Sequence, residues 1–177
     1  LIGTALAAKR KGNHIITTAV EHPSVKATAS FLEEQGFRIT FLSVDSRGQI
    51  SLEELKEALT PDTILVSIMY VNNEIGTIQP IEEAAKLVHA TVPGAVFHVD
   101  AIQAYGKVMI RPKQQGIDLL SVSSHKFHGP KGAGFLYCSS KVNLHPIIFG
   151  GGQQSGMRSG TENVPGAAAV SYTHLTL

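Results

Sequence analysis

The chain has 177 residues, enough for one substantial core but not for two large domains. Fifteen basic and fourteen acidic side chains leave a formal charge of +1, which makes no electrostatic case for nucleic acid or an anionic membrane as partner. At 43% hydrophobic and 16% charged the composition is that of a soluble globular chain, and no apolar run approaches the roughly 18 residues of a membrane span.

One cysteine, Cys138, excludes an internal disulfide and fits a reducing compartment, so a cytoplasmic location is expected. The opening stretch LIGTALAAKRKGNH puts its apolar part before its basic part, the reverse of a signal peptide. ALAAKRKG reads as helix, and Ser171 to Leu177 break the small-residue pattern of VPGAAAV. The expectation is an internal fragment of a longer protein, residues 1–170 forming part of a domain and 171–177 a non-native tail.

HIITTAV is β-branched and apolar, and predicts the first strand. From Pro23 to Gln35 apolar residues recur at helical spacing (Val25, Ala29, Leu32), with Gly36 as the stop. FRITFLSV predicts a strand. Ser51 to Glu54 fit a capping box that opens the helix LEELKEAL, which Pro61 ends. TILVSIMY is apolar almost throughout, as strands buried on both faces are. After the loop VNNEIGTIQP come a helix (IEEAAKLVHA), two strands (AVFHVDA and IDLLSVSS) and a last strand, GFLYCS, antiparallel or at the edge. Repeated β-α-β units with apolar strands predict an α/β fold, a mainly parallel sheet flanked by helices.

Ligands of such sheets bind at the carboxyl ends of the strands. Four predicted strands end in polar clusters: Glu21-His22; Asn72-Asn73-Glu74; His98, Asp100 and Gln103; and Ser121, Ser123, Ser124, His125 and Lys126. Singly, each has an ordinary explanation as a turn, a helix cap or a locally satisfied histidine. Together they point to one site.

A lysine, an aspartate and phosphate-type donors on one sheet edge suit pyridoxal phosphate. The lysine amine bonds the cofactor aldehyde, and the aspartate keeps the pyridine nitrogen protonated. Serine, histidine and backbone N–H groups can hold the phosphate, a histidine ring can stack, and amide side chains can reach the phenolic oxygen.

The stretches TTAVEHPSV, VNNEIGTIQP, HVDAIQAYGK, SVSSHKFHGPKGAGF and GGGQQSGMRSGTENVPG cover the chain from His14 to Gly166. In that order they resemble the cysteine desulfurases, pyridoxal-phosphate enzymes of the class V aminotransferase group. Asp100 and Lys126 stand 26 residues apart, in the family's register, and MRSGTEN resembles the first desulfurase subgroup. The resemblance implies the central part of the large domain of a fold-type I enzyme. It makes Lys126 the cofactor lysine, Asp100 the partner of the pyridine nitrogen and Gln103 a donor to the phenolic oxygen. His22 would stack on the ring and serve as acid or base, Asn73 would lie near the ring oxygen and the substrate, and Ser123 and His125 would bind phosphate. Thr161, in RSGT, would reach the phosphate of a neighbouring subunit, which implies a homodimer.

The family converts L-cysteine to L-alanine and an enzyme persulfide, whose sulfur passes to an acceptor such as an iron–sulfur scaffold or a tRNA-modifying protein. The persulfide cysteine and the substrate-carboxylate arginine are expected after this chain, and a phosphate-binding threonine before it. Cys138 does not match the persulfide position and reads as a small buried hydrophobe on a strand. His128 is assigned to packing or to the turn.

Four other readings are weaker. A selenocysteine lyase or other class V enzyme would share the lysine and aspartate. A metal-dependent hydrolase could use His98, Asp100, His125 and His128, but no HExxH or paired-cysteine spacing supports it. GPKGAG lacks the GxxxxGK[ST] pattern of a nucleotide loop. A non-catalytic interaction protein would leave the strand-end cluster unexplained.

Overall fold

The computed structural model describes residues 1–175. Among the described residues six strands form one sheet: β1 (His14–Thr18), β2 (Arg38–Leu42), β3 (Thr63–Met69), β4 (Val96–Asp100), β5 (Leu119–Ser123) and β6 (Gly134–Cys138). Their order is β2-β1-β3-β4-β5-β6. Every neighbouring pair is parallel except β5 with β6, which is antiparallel at the edge. The helices are α1 (Ile2–Ala8), α2 (Pro23–Glu34), α3 (Leu52–Ala58), α4 (Ile81–Thr91) and α5 (Val164–Leu175). α5 runs across Ser171, where the sequence suggested a tail; Thr176 and Leu177 lie outside the described residues.

Helices cover both faces. Ala5 of α1 and Leu32 of α2 pack with Ile15, Phe37, Ile64 and Leu65 on one side. Leu55 of α3 and Ile81, Ala84, Ala85 and Val88 of α4 pack with Ile16, Val66, Ile68, Phe97 and Val99 on the other. Adjacent residues Ile15 and Ile16 serve opposite layers, as the two-residue period of a strand requires. All seven residues of β3 are buried, which is why its sequence is apolar without alternation.

Local signals set the helix ends. Gly36, at φ 87°, closes α2: its N–H donates to the Glu33 carbonyl and the Phe37 N–H to that of Leu32, the two bonds of a Schellman turn. Ser51 caps α3 by accepting the Glu54 N–H. The expected capping box is only half formed, because the Glu54 carboxylate instead accepts the backbone N–H and hydroxyl of Ser43.

Polar groups inside the sheet pair across strands. His14 bridges Thr63 Oγ1 and Thr40 Oγ1, both at 2.8 Å. His98 bridges Ser67 Oγ on β3 (2.9 Å) and Ser121 Oγ on β5 (2.8 Å). Burial, then the Arg38 charge against an opposing Asp62, holds His14 down to about 4; burial holds His98 down to about 3. Both rings are neutral in the folded protein, with one nitrogen donating and the other accepting.

Two predictions follow from this packing. Phe97, fully buried, should cost about 3–5 kcal/mol when cut to alanine, read from urea unfolding, whereas Met109→Ala at an exposed position should change stability by under about 0.5 kcal/mol. The depressed histidines contribute stability that is complete above the ordinary histidine value of 6.5 and is lost as pH falls through about 4 for His14 and about 3 for His98. The urea midpoint should therefore drop over that range, less steeply in His98→Gln; equal slopes in the two proteins would refute the neutral-imidazole assignment.

Candidate active site

After β1 the chain crosses to β2 on one side, and then returns to place β3 on the other side of β1. Loops leaving β1 and β3 therefore diverge, and the crevice they leave at the carboxyl ends is the usual ligand position in such sheets. A cleft of about 220 Å³ lies there, bordered by His22, Asn73, Asp100, Gln103, Ser123, His125 and Lys126. All but one of the residues given roles by the resemblance thus border it. Thr161 is the exception: it is exposed and does not border the cleft.

His22 is the N-cap of α2, with Pro23 at the first helical position. Its Nδ1 accepts the Ser24 N–H at 3.2 Å and lies 2.8 Å from the Ser24 hydroxyl. A lone pair used at Nδ1 leaves the proton of the neutral ring on Nε2. Ser24 borders the cleft as well, together with Met69, Val71 and Ile102. None of these four was assigned from sequence; for Ser24 the helix start at Pro23 was the available signal.

Asp100 ends β4 and is 6% exposed. Its Oδ1 accepts the Ile102 N–H at 3.0 Å. Burial holds its carboxyl above the usual carboxylate range, against that hydrogen bond and the His22 charge. A buried carboxyl in this condition favours a cationic partner. The two asparagines of VNNEIG divide their tasks. Asn72 is buried, and its Oδ1 accepts the N–H groups of Glu74 and Ile75 while its amide donates to the Val20 carbonyl. Asn73 faces the cleft and donates to Glu74 Oε1 at 2.7 Å.

Lys126 closes a single 3-10 turn, Ser124–Lys126, directly after β5. Buried neighbours hold it on both sides. Ser124 has no solvent exposure; its N–H donates to Ala133, its hydroxyl is shared between the carbonyls of Ala133 and Pro130, and its own carbonyl accepts the N–H groups of Phe127 and Gly129. Phe127, 1% exposed, packs on Tyr105 at 5.0 Å between ring centroids, and Tyr105 packs on Phe135 at 5.1 Å. His128 reverses the chain at φ 67° and is exposed, in keeping with a place in the turn. Gly129 then passes so close that an added Cβ would sit 2.7 Å from Ser124 Cβ. The lysine itself is exposed, as are His125 and its bond to Ser123 Oγ (2.8 Å).

Two expectations are corrected, and one weaker reading loses its support. His98 does not reach the cleft; it is buried beneath Asp100, two residues earlier on the same strand face, and is occupied by Ser67 and Ser121. Among the described residues no three of His, Cys, Asp and Glu converge as a metal site, which removes the support for the hydrolase reading. Cys138 is exposed, because β6 is an edge strand; partial burial of its thiol and the Asp118 charge both push its pKa up, the opposite of an activated thiolate. Among the described residues, no helix is long and apolar enough to cross a membrane.

A doubly covered, mostly parallel sheet with a lysine, an aspartate, a serine and histidines at its carboxyl edge defines an α/β fold with a polar cleft at the usual ligand position. The chain belongs to the class-V aminotransferase family, whose model matches residues 1–173. This family in general depends on pyridoxal phosphate. The chain is 55% identical over 170 residues to a putative cysteine desulfurase, IscS 1, of Bacillus subtilis (strain 168), matching 96% of this chain and 44% of that protein. Among solved structures, a NifS-like protein superposes with a TM-score of 0.95 at 43% identity, over 98% of this chain and 47% of the other. A structure of SspA in complex with cysteine gives 0.90 at 39% identity, over 98% and 50%. The chain thus spans about half the length of these relatives or less.

The close approach at Gly129 yields a prediction. Gly129→Ala must push the lysine turn off Ser124 and should destabilise the protein by roughly 1–3 kcal/mol, whereas Gly132→Ala, with open space but φ 74°, should act only through its backbone. Urea unfolding of the two variants compares them; an unperturbed Gly129→Ala would contradict the packing described.

Proposed function

We propose that this chain forms the cofactor-binding part of a pyridoxal-phosphate-dependent cysteine desulfurase, which takes sulfur from L-cysteine to give L-alanine. The observation that carries this reading is the convergence of Lys126, Asp100 and the His22, Asn73, Gln103, Ser123 and His125 side chains on one cleft. The desulfurase relatives and the structure holding cysteine support the choice of substrate.

Bound in this cleft, pyridoxal phosphate would supply an aldehyde for an amine and an electron-withdrawing ring that stabilises negative charge on the substrate. Lys126 would hold the aldehyde carbon, its backbone fixed by Ser124 and Phe127. Asp100 would accept the N–H of the pyridine ring, gaining the cationic partner that its burial favours. Gln103 and Asn73 have amide groups to donate to the ring oxygen, so Asn73 would exchange its bond to Glu74. Ser123 and His125 would donate to the phosphate, and His22 would lie on the ring with Nε2 free to hold or move a proton.

The same reading extends to a homodimer in which Thr161, exposed on its loop, contributes to the neighbouring subunit's phosphate. It includes a cytoplasmic location and a sulfur-acceptor protein, such as an iron–sulfur scaffold, as partner. Residues 1–170 would be part of the large domain. Sulfur transfer would use a cysteine other than Cys138.

The test is uptake of pyridoxal phosphate, followed by visible absorbance, borohydride reduction and peptide mapping. Reduction should fix the cofactor on the peptide containing Lys126, Lys126→Ala should abolish the fixed adduct, and Cys138→Ser should leave uptake unchanged. An adduct of equal stoichiometry in Lys126→Ala would overturn the assignment.

A further inference from the structure

Beside the cleft lies a carboxyl group that the reaction roles leave unused. Glu21, between β1 and His22, is 3% exposed. Its Oε1 accepts two hydrogen bonds, from Thr18 Oγ1 at 2.9 Å and from the Met69 N–H at 2.8 Å. Its Oε2 is buried and has no partner among the described residues. Met69 is the last residue of β3; it borders the cleft and stands opposite Asp100 in the ladder between β3 and β4. One oxygen thus joins the end of β1 to the end of β3, at the point where the strand order reverses and their outgoing loops part.

We infer that Glu21 is a positioning residue that works as an uncharged carboxylic acid, clasping the end of β1 onto β3 so that His22 and Met69 keep their places in the cleft wall. The clasp needs an acceptor oxygen, not a charge. A carboxylate here would leave a charged oxygen buried and unpaired, the costliest form of an unsatisfied group. It would also stand near Asp100, a like charge, with Lys26 opposing. Burial, chiefly, and Asp100 push Glu21 up to about 7, against its two hydrogen bonds and Lys26. No charge is asked of Glu21, whereas the proposed cofactor role of Asp100 needs one. For its cofactor consequence the inference rests on the proposed function; its structural half does not.

Two measurements separate these. The first is urea unfolding without cofactor, comparing the wild type with Glu21→Gln, whose amide oxygen can accept the same two bonds. A carboxyl raised from 4.5 to about 7 contributes stability that is complete below 4.5 and lost as pH rises through about 7. The urea midpoint of Glu21→Gln should therefore gain on the wild type from pH 5 to pH 8. A constant difference would overturn the inference. The second is pyridoxal phosphate affinity at pH 6, below the Glu21 titration. Glu21→Gln should bind within about twofold of wild type, and Glu21→Ala about tenfold more weakly, the loss of two hydrogen bonds that hold the wall. Equal weakening in both variants would show that the charge is required and would also overturn it. If the wild type takes up no cofactor, the proposed function fails, and the pH dependence of unfolding alone decides the state of Glu21. Should Glu21→Ala not fold, the Glu21→Gln comparisons stand without it.

Discussion

A parallel sheet covered by helices on both faces has one place where polar chemistry meets water without breaking the core, the ends of its strands. β3 states the constraint most strongly, being buried along its whole length. Polar side chains that do enter such a sheet must find partners inside it. His14 and His98 do so by bridging hydroxyls on two neighbouring strands each. The polar side chains that border the cleft stand instead at the carboxyl edge. There the reversal of strand order beside β1 leaves room for a ligand.

The position of Lys126 depends on a second constraint, anchorage of an exposed side chain by buried neighbours. A lysine at the end of a strand has a flexible stem, and only its backbone can be fixed by the fold. Ser124 and Phe127 do this from opposite sides, one by hydrogen bonds into the loop that follows and one by aromatic packing. The glycine that follows the lysine by three residues permits the return of the chain across Ser124. The run SSHKFHGPKG is therefore a single mechanical unit, in which the serine, the phenylalanine and the glycine hold the lysine at the cleft.

The order of strands and helices was readable because fully buried strands are apolar almost throughout and helix ends carry Ser51, Pro23 and Gly36 as local punctuation. The cleft residues were readable because they follow their strands directly and the lysine and aspartate keep a recognisable register. What could not be read depends on neighbours distant in sequence. His98 looked available because the alternation that exposes Asp100 at the strand end puts His98 on the same face; only the registers of β3 and β5 bring Ser67 and Ser121 against it. Cys138 was expected inside; the strand was read as antiparallel or at the edge, it is both, and its thiol is exposed. Glu21 was visible as half of a polar pair. Its burial, and its bond to a backbone 48 residues away, were not.

The buried ionisable groups also oppose one another in a way that ties fold to site. The neutral histidines favour folding as pH rises from their folded values toward 6.5, while the neutral Glu21 disfavours it from 4.5 toward about 7. Between about 4.5 and 6.5 the glutamic acid offsets the gain from one of the two histidines, and below 4.5 it offsets neither. Acid sensitivity from these three groups is therefore steepest just below the ordinary glutamate value, where both folded rings are still neutral, and it fades as the rings take up protons at about 4 and about 3. Near neutral pH the slopes die away together. The core pairs then stay intact while the carboxyl beside the cleft passes through its own titration, so the charge around Asp100 can change without the sheet beneath it giving way.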